Sequence, residues 1–456
     1  MAARAGKIAG HVNAEGSAAP GPPLGQLRKG TLFPLFPHLL EDHQALGGIW
    51  SYEIYRGRRM TIIAEPHLLD MCFEQGTPGV VSEKNKLGYA WFSIPREVVQ
   101  HNHESLNQVR LALAPNKAEG LNGVVARGVE EFLAQFPSEG TKDLWDVITA
   151  TFFPVNEAMF GDTFKNCPEA MQLWRQFDSD FSKVTLGMPQ SQFPHMEEAR
   201  EAVVAQFKQA YDQGKHTAPG CPVLAARVAP LPEGFTNEDK ARMCFSIFWA
   251  AQGNTLPMTY WMLAHILADP ELKKRVVAEV DAAGDLHSDI ITKCPLLMAC
   301  LYETLRVYNA TLIHRKVTAP VTITTSTGVT HTIPKNDMLT ISAYVAHRNS
   351  KVFPDPGQFR VDRWLKDGED PKLVMARLTS QNLYFPWAKG IESCSGKHLA
   401  QREIPTMVAM FLRSFSAELL DPIPGGNWDE YFIASCAPKS KPFVESVTTR
   451  VKFSRR

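Results

Sequence analysis

Cys394 is the residue of this sequence whose neighbours best suit a chemical role. It follows a loop that contains Gly390 and stands directly before a predicted helix. Backbone N–H groups at the start of a helix stabilise a thiolate over a thiol. Gly390 and Gly396 let the backbone approach another group closely, and Trp387 can shield the sulfur from water. A shielded thiolate is suited to bind a haem iron, although most single cysteines are inert core residues.

The other cysteines give no sign of a metal site or a disulfide framework. The sequence contains no CxxC pair and no zinc-type spacing of Cys and His; besides 394, the cysteine positions are 72, 167, 221, 244, 294, 300 and 436. We therefore expect reduced thiols that are buried as small hydrophobic groups.

A second group of residues with possible chemical roles interrupts a long apolar helix. The pattern predicts this helix over 236–268, with Gly253, Asn254, Thr255 and Pro257 near its centre. In a helix interior, glycine costs about 1 kcal/mol and proline about 3 kcal/mol relative to alanine. One interpretation is a tolerated kink. The other, which we favour, is an opened groove in which a bound group meets polar side chains.

Composition limits the partners that these residues can serve. The 456 residues are 44% hydrophobic, and 48 basic side chains balance 48 acidic ones. A chain without net charge has no electrostatic basis for binding nucleic acid, so we expect no nucleic acid partner and a small, apolar substrate instead. No run of about 18 apolar residues is present, which predicts no transmembrane anchor and at most a peripheral membrane contact.

The pattern along the chain predicts a mainly helical body that follows a disordered leader at 1–19 and a stiff proline-rich piece at 20–23. Residues 49–64 alternate like a β-hairpin that turns at 56–58. Further strands are predicted over 317–345, helices over 66–310 and 395–415, and short tail strands at 431–437 and 444–453.

Four motifs, in this order and spacing, resemble those of the cytochrome P450 family. They are Ala251-Gln252-Gly253-Asn254-Thr255, Glu303-Thr304-Leu305-Arg306, Phe353-Pro354-Asp355-Pro356 with Arg363-Trp364, and the cysteine loop from Phe385 to Gly396. The resemblance implies a mainly α, large helical cytochrome P450-type fold with a smaller β-rich N-terminal lobe, as a single domain over 20–456. It also implies haem b, iron protoporphyrin IX, as the cofactor.

The resemblance assigns roles to residues at matching positions. Cys394 is the implied thiolate ligand of the iron, in a loop shaped by Trp387, Gly390 and Gly396. The implied propionate partners are Arg110, Arg315 and Lys316, and the implied catalytic residues are Thr255 and Asn254. The implied substrate contacts are Trp249, Ala250, Gly253, Ile313 and Ile433, with the segments 89–95, 309–313 and 433–436.

Glu303, Arg306 and Arg363 are expected to form a buried triad that holds the cysteine loop and does no chemistry. A carboxylate held between two guanidinium groups tolerates burial when its remaining hydrogen bonds are satisfied. The alternative is an exposed pair of Glu303 and Arg306, which are three residues apart on a helix predicted over 295–308; such a pair contributes about 0.3 kcal/mol.

Three residues depart from the family pattern. Glu392 stands where the family has a basic residue for a propionate, so we expect it to turn to solvent or to pair with Lys389 or Lys397. Ser395 replaces an apolar residue and can add a hydrogen bond near the sulfur. Asn254 replaces an acid that relays protons in the family, and an amide cannot do so by ionising.

The function that the resemblance favours is monooxygenation of an apolar terpenoid, sterol or other lipid-like molecule. The enzyme would use O2 and two electrons from an NAD(P)H-dependent reductase, as a monomer that is cytoplasmic or peripheral to an intracellular membrane. The Gln-Gly-Asn pattern followed by proline is similar to the branch of bile-acid sterol hydroxylases and prostacyclin synthase. An isomerase or dehydratase that needs no reductase is therefore the alternative, and a helical binding protein without catalysis is the third hypothesis.

Overall fold

The structure, a computed structural model, describes residues 35–53, 59–74, 76–82, 91–185, 188–218, 220–287, 289–423 and 449–456. Its helices α1 to α19 are, in chain order, Leu35–Leu46, Asp70–Phe73, Arg96–Val99, Asn102–Ala112, Pro115–Gln135, Leu144–Ile148, Phe152–Phe160, Ala170–Asp178, Phe181–Thr185, Pro194–Asp212, Pro222–Val228, Asn237–Gly253, Thr255–Ala268, Pro270–Ala282, Ile290–Lys293, Pro295–Tyr308, Ala343–Ala346, Pro371–Ser380 and Lys397–Ser414. Its strands β1 to β10 are Ile49–Glu53, Arg59–Ile63, Val80–Ser82, Glu139–Asp143, Leu312–Val317, Val321–Thr324, Thr330–Ile333, Met338–Ser342, Phe415–Leu419 and Arg450–Arg455.

The predicted mainly α fold with a β-rich part is confirmed. The described chain divides into two compact units. Among the described residues, the β-rich unit takes those within 35–82, 310–354 and 377–393, and the helical unit takes those within 91–309, 355–376 and 394–456. The single domain over 20–456 stays a prediction. The leader, the proline-rich piece, the hairpin turn at 56–58 and the tail strand at 431–437 lie outside the described residues.

The β-rich unit is built on a five-stranded sheet with the strand order β1-β2-β8-β5-β3. Strands β1 and β2 pair antiparallel with Ile49 opposite Ile63, as the alternation of the sequence predicts. The predicted strand region at 317–345 starts too late, because β5 already begins at Leu312. Residues of β5 alternate in burial, so that Arg315 is enclosed while its neighbour Lys316 is only half-buried.

The central helix of the helical unit is two helices, α12 and α13, separated at Asn254. Thr236 caps α12 and forms a reciprocal capping box with Asp239, as the sequence indicates. Pro257 then lies in the first turn of α13, where backbone N–H groups have no partner within the helix, so its missing N–H costs little. Although α13 is buried almost throughout, neither it nor any other described helix is long and apolar enough to cross a membrane.

A three-stranded sheet in the order β4-β10-β9 belongs to the helical unit. The sequence predicted only β10, as part of the strand at 444–453. Strand β4 was missed because its residues are mostly exposed and polar, so they show no alternation of apolar and polar side chains.

His265 is a buried histidine on α13. Its Nε2 lies 2.7 Å from the hydroxyl oxygen of Tyr308, and its ring stacks on Phe359 with the ring centroids 4.0 Å apart. Burial lowers the pKa of His265 from 6.5 to about 4. The folded protein therefore keeps this imidazole neutral at a pH where the unfolded chain protonates it.

We expect His265→Gln to change how stability depends on pH. Between pH 6.5 and 4 the unfolded chain binds the extra proton, so the contribution of His265 is fully present above pH 6.5 and is lost as the pH falls. The advantage of wild type over the variant should shrink by about 2 kcal/mol from pH 7 to pH 5. Urea unfolding of both proteins at the two pH values measures this; an advantage that does not change with pH contradicts it.

Candidate active site

Cys394 is accessible and lies at the start of α19. It is exposed, whereas the other described cysteines (72, 167, 221, 244, 294 and 300) are buried. Burial raises the pKa of their thiols, to about 12 for Cys72 and about 11 for Cys244. Cys394 Sγ would lie 4.0 Å from a Cβ placed at Gly396, the residue that precedes α19. Among the described cysteines, Cys394 is thus the one that an external group can reach, and its sulfur lies beside a helix N-terminus.

Ser395 does not direct its hydroxyl as the sequence suggested. Its Oγ donates to the backbone oxygen of Leu106 at 3.4 Å. The single hydroxyl proton is therefore used on a carbonyl near the middle of α4, and the predicted hydrogen bond near the sulfur is not the one formed.

The turn before Cys394 requires glycine at position 390. Gly390 has φ +55° and opens a short 3-10 helix that ends at Glu392. A Cβ at this position would lie 2.1 Å from the backbone oxygen of Phe73. The backbone of the cysteine loop at Gly390 therefore packs directly on the last residue of α2, within the β-rich unit.

Gly390→Ala is expected to displace the loop and, for the haem that the resemblance implies, to lower haem content at least severalfold. The methyl group meets a carbonyl oxygen that cannot rotate away, and alanine is strained at positive φ. The haem-to-protein absorbance ratio after purification measures the effect. Gly357→Ala is a matched control, because no atom lies within 4 Å of its added Cβ; equal haem content in both variants would contradict the prediction.

Glu392 forms a buried ion pair, which corrects the sequence-based prediction. Its carboxylate pairs with Arg315, and only 6% of the Glu392 side chain is exposed. It does not turn to solvent, and Lys389, one of its two predicted partners, instead contacts Asp70 at 3.4 Å. The pairing with Lys397 stays a prediction. The inward face of β5 brings Arg315 to this carboxylate, a contact between residues 77 positions apart.

The predicted propionate partners differ in what they already bind. The Arg315 side chain is buried; its Nε donates to the Cys72 backbone oxygen at 2.8 Å, while Nη2 has no hydrogen-bond partner among the described residues. Arg110, on α4, donates from Nη1 to Asn107 at 3.0 Å. Lys316 is half-buried on the opposite face of β5 from Arg315. An unused, buried guanidinium N–H is a group that an anion can satisfy.

The structure brings Glu303, Arg306 and Arg363 together in the helical unit. Arg306 binds both Glu303 oxygens, at 2.8 and 2.9 Å, and Arg363 Nε lies 3.3 Å from Oε1. The Trp364 indole and the Arg360 backbone N–H donate to the same carboxylate at 3.0 and 2.8 Å, two contacts that the sequence did not indicate. Glu303 and Arg306 are fully buried, so the exposed-pair alternative is wrong. Support of the cysteine loop by this network stays a prediction.

Thr255 and Asn254 are oriented differently at the start of α13. Asn254 is exposed, whereas Thr255 is buried and donates its hydroxyl to Oε1 of Glu403 at 3.0 Å. Glu403 was not singled out from the sequence. A charged residue within the apolar face of α19, among Ile404, Met407 and Val408, was the available signal.

The predicted substrate contacts fall in different places. The ring of Trp249 packs on Phe181 and Phe92, with centroids 4.0 and 5.5 Å apart, and its indole donates to Asp178 at 2.8 Å. A Cβ on buried Gly253 would touch the Trp249 ring at 3.7 Å. Ala250 is exposed. Ile313 is part of the apolar core of the β-rich unit, and Ile433 lies outside the described residues.

A large, mainly helical fold, one accessible cysteine among the described residues, placed before a helix, and a buried Glu–Arg network match the pattern of haem-thiolate enzymes. A model of the family described as cytochrome P450 matches residues 43–426, so the chain belongs to the cytochrome P450 family. The protein is therefore a haem-dependent oxidoreductase, a monooxygenase that uses O2, a redox partner and an apolar substrate.

Comparison with curated proteins identifies several relatives. The 24-hydroxycholesterol 7-alpha-hydroxylase of Homo sapiens is 23% identical over 81% of this chain and 80% of its own length. The Mus musculus enzyme of that name is 24% identical over 81% of this chain and 79% of its own length. The 5-beta-cholestane-3-alpha,7-alpha-diol 12-alpha-hydroxylase of Sus scrofa is 27% identical over 39% of this chain and 38% of its own length.

Proposed function

We propose that the protein hydroxylates a sterol, with Cys394 as the thiolate ligand of haem b. The accessibility of Cys394 beside the start of α19 is the observation that carries the ligand assignment. The sterol assignment is supported by the relatives, because the names of those compared above describe hydroxylases of cholesterol derivatives.

Each unit contains side chains whose chemistry suits a haem: a thiol for the iron in the helical unit and a guanidinium for a propionate in the β-rich unit. Cys394 offers the sulfur, and glycine at position 396 places no side chain against it, where a Cβ would lie 4.0 Å away. Arg315 offers the unused N–H groups of Nη2 to a propionate, and Arg110 and Lys316 are further candidates by resemblance. When bound, the haem supplies the activation of dioxygen with two electrons, which we propose come from an NAD(P)H-dependent reductase. We propose that the enzyme works as a monomer.

We propose that Thr255 holds a proton for the reaction, and that Trp249 and the rings packed on it contact the substrate. Thr255 Oγ1 holds a proton at the break between α12 and α13. The rings of Phe92, Phe181 and Trp249 form an apolar surface that excludes water and favours the flat, apolar body of a sterol. Asp178 accepts a hydrogen bond from the Trp249 indole and so fixes the orientation of that ring.

The proposal is tested by titrating the purified holoenzyme with 24-hydroxycholesterol and cholesterol and recording the Soret band. Binding of a sterol should shift the band, whereas a saturated fatty acid, as a control of different shape, should not. Turnover with NADPH, a reductase and labelled O2 should then add one labelled oxygen atom to the sterol. A shift with the fatty acid alone would refute the sterol assignment and leave monooxygenation standing.

The same assay separates monooxygenation from the isomerase alternative. Asn254 is the feature that keeps this alternative open, since it stands where the family has an acid. An isomerase would convert an organic hydroperoxide without NADPH or reductase, and no labelled oxygen from O2 would enter the product.

A further inference from the structure

Glu392 stands two residues before Cys394, and the proposed function gives this acid no role. Its carboxylate forms an ion pair with Arg315, and only 6% of the Glu392 side chain and 1% of the Arg315 side chain are exposed. Ser82 Oγ also donates to Oε1 of Glu392, at 3.3 Å. The acid is therefore buried, and side chains from two strands of the β-rich unit hold it in place.

The pairing of β3 with β5 explains why both of these partners reach Glu392. The register of the two strands places Ser82 directly opposite Arg315, and side chains of directly opposed residues leave a sheet on the same face. The short 3-10 helix Gly390–Glu392 ends beside that face, since Glu392 contacts both side chains. The sheet itself thus aligns the two groups that bind the acid.

The contacts of Arg315 leave one side of its guanidinium open. Its Nε donates to the Cys72 backbone oxygen at 2.8 Å and its Nη1 donates to Glu392, whereas Nη2 has no hydrogen-bond partner among the described residues. Because the guanidinium is planar, these two contacts also fix the direction of the N–H groups of Nη2. Glu392 therefore orients the group that is proposed above to bind a haem propionate.

The two charges of this ion pair oppose each other at a third group. The pKa of the buried Cys72 thiol is raised to about 12, mainly by burial; Arg315 lowers that pKa, and Glu392 raises it. A group near the pair therefore experiences a less positive potential than Arg315 alone would produce. Solvent ions screen buried charges only weakly, so this opposition extends beyond direct contact.

We propose that Glu392 is a positioning residue that orients Arg315 and, through its negative charge, lowers the reduction potential of the haem. Residues two positions apart have their Cα atoms within about 7 Å in any conformation, so this acid is close to the proposed ligand Cys394. A negative charge favours the oxidised iron, which carries one positive charge more than the reduced iron. The inference rests on the proposed function for the haem and for its ligand.

The experiment is a redox titration of the purified holoenzyme, in which the absorption spectrum gives the ratio of reduced to oxidised haem at each applied potential. Glu392→Gln removes the charge and keeps an acceptor oxygen for Arg315. Unit charges about 10 Å apart change an equilibrium constant by about tenfold at an effective dielectric constant of about 20. The midpoint of the variant should therefore be more positive by about 59 mV, the equivalent of a tenfold change for one electron.

Glu53→Gln is the matched control for this titration. It also removes one negative charge from the β-rich unit, but Glu53 is exposed at the end of β1, so solvent ions screen its charge and the midpoint should not change. The shift in Glu392→Gln should persist at about 1 M salt, where the screening length is about 3 Å, because the charge that it removes is buried.

Each outcome decides the proposal. A more positive midpoint in Glu392→Gln alone supports it, whereas an unchanged midpoint, or the same shift in Glu53→Gln, overturns it. If Glu392→Gln loses haem, Glu392→Ser decides, since it removes the same charge and places no amide beside the guanidinium. Loss of haem in both Glu392 variants means a purely structural acid and also overturns the proposal. The proposed function fails separately, on a wild type without the red-shifted Soret band under carbon monoxide; this inference alone fails when that band is intact and the midpoints are equal.

Discussion

Cys394→Ser is expected to abolish the red-shifted Soret band that the reduced protein shows under carbon monoxide. Serine offers a neutral hydroxyl in place of a soft anionic sulfur, so the electron donation that produces the band is lost. Activity should fall by more than about a hundredfold, because removal of groups that merely support a metal ligand already costs 10- to 100-fold. Absorption spectra of the two proteins at equal concentration measure the first effect, and product formation measures the second.

Cys167→Ala is the matched control for this experiment. Cys167 also stands three residues before a helix, α8, but it is buried and its thiol pKa is raised to about 11, so it lacks the accessibility that distinguishes Cys394. The control should keep the red-shifted band. A red-shifted band that survives in Cys394→Ser would show that another group ligates the iron, and its loss in the control would mean that the spectrum reports general unfolding.

Glu303→Ala is expected to destabilise the protein by about 3–5 kcal/mol, the cost of leaving buried charges without their partner. Arg306 has no exposed side-chain surface, so its guanidinium cannot turn to water, and only 10% of the Arg363 side chain is exposed. Trp364 and the backbone of Arg360 would lose their acceptor as well. The shift of the urea unfolding midpoint and the haem content of the purified variant measure the effect.

Two further variants show whether the loss comes from the buried network. Glu238→Ala removes an exposed carboxylate from its pair with Arg242 and should cost less than about 1 kcal/mol. Glu303→Gln keeps one acceptor oxygen and should lie between the two. Any Glu303 variant that retains haem should show an unshifted carbon monoxide band, because the network is expected to support the fold and not the chemistry. A stable Glu303→Ala protein, or a shifted band, contradicts this role.

Local signals made parts of the fold predictable. Pro295 marks the start of α16, and that helix ends at Tyr308 as expected. The Thr236 cap gave the start of α12. The order of Gly253, Asn254 and Pro257 indicated an irregularity, and the structure resolves it into two helices with proline in a first turn.

What the sequence did not reveal depends on contacts between distant parts of the chain. Glu392 was expected to find a lysine near it in sequence, but the alternation of β5 places Arg315 beside it instead. Glu403 lies in a helix that was predicted, yet its partner is on α13, 148 positions away. Spacing along one helix can predict that Glu303 meets Arg306, but it cannot predict which side chain a second helix or strand will bring.

The pKa shifts of His265 and Glu403 have opposite effects on how the stability of the helical unit depends on pH in mild acid. The pKa of His265 falls from 6.5 to about 4 on folding, and that of Glu403 rises from 4.5 to about 7. Between pH 4.5 and 6.5, unfolding lets the imidazole take up a proton while the carboxyl releases one, so the net exchange with solvent from this pair is close to zero. Two buried groups that would each make stability depend steeply on pH thus compensate one another, and acidification over this interval leaves their joint contribution to folding nearly constant.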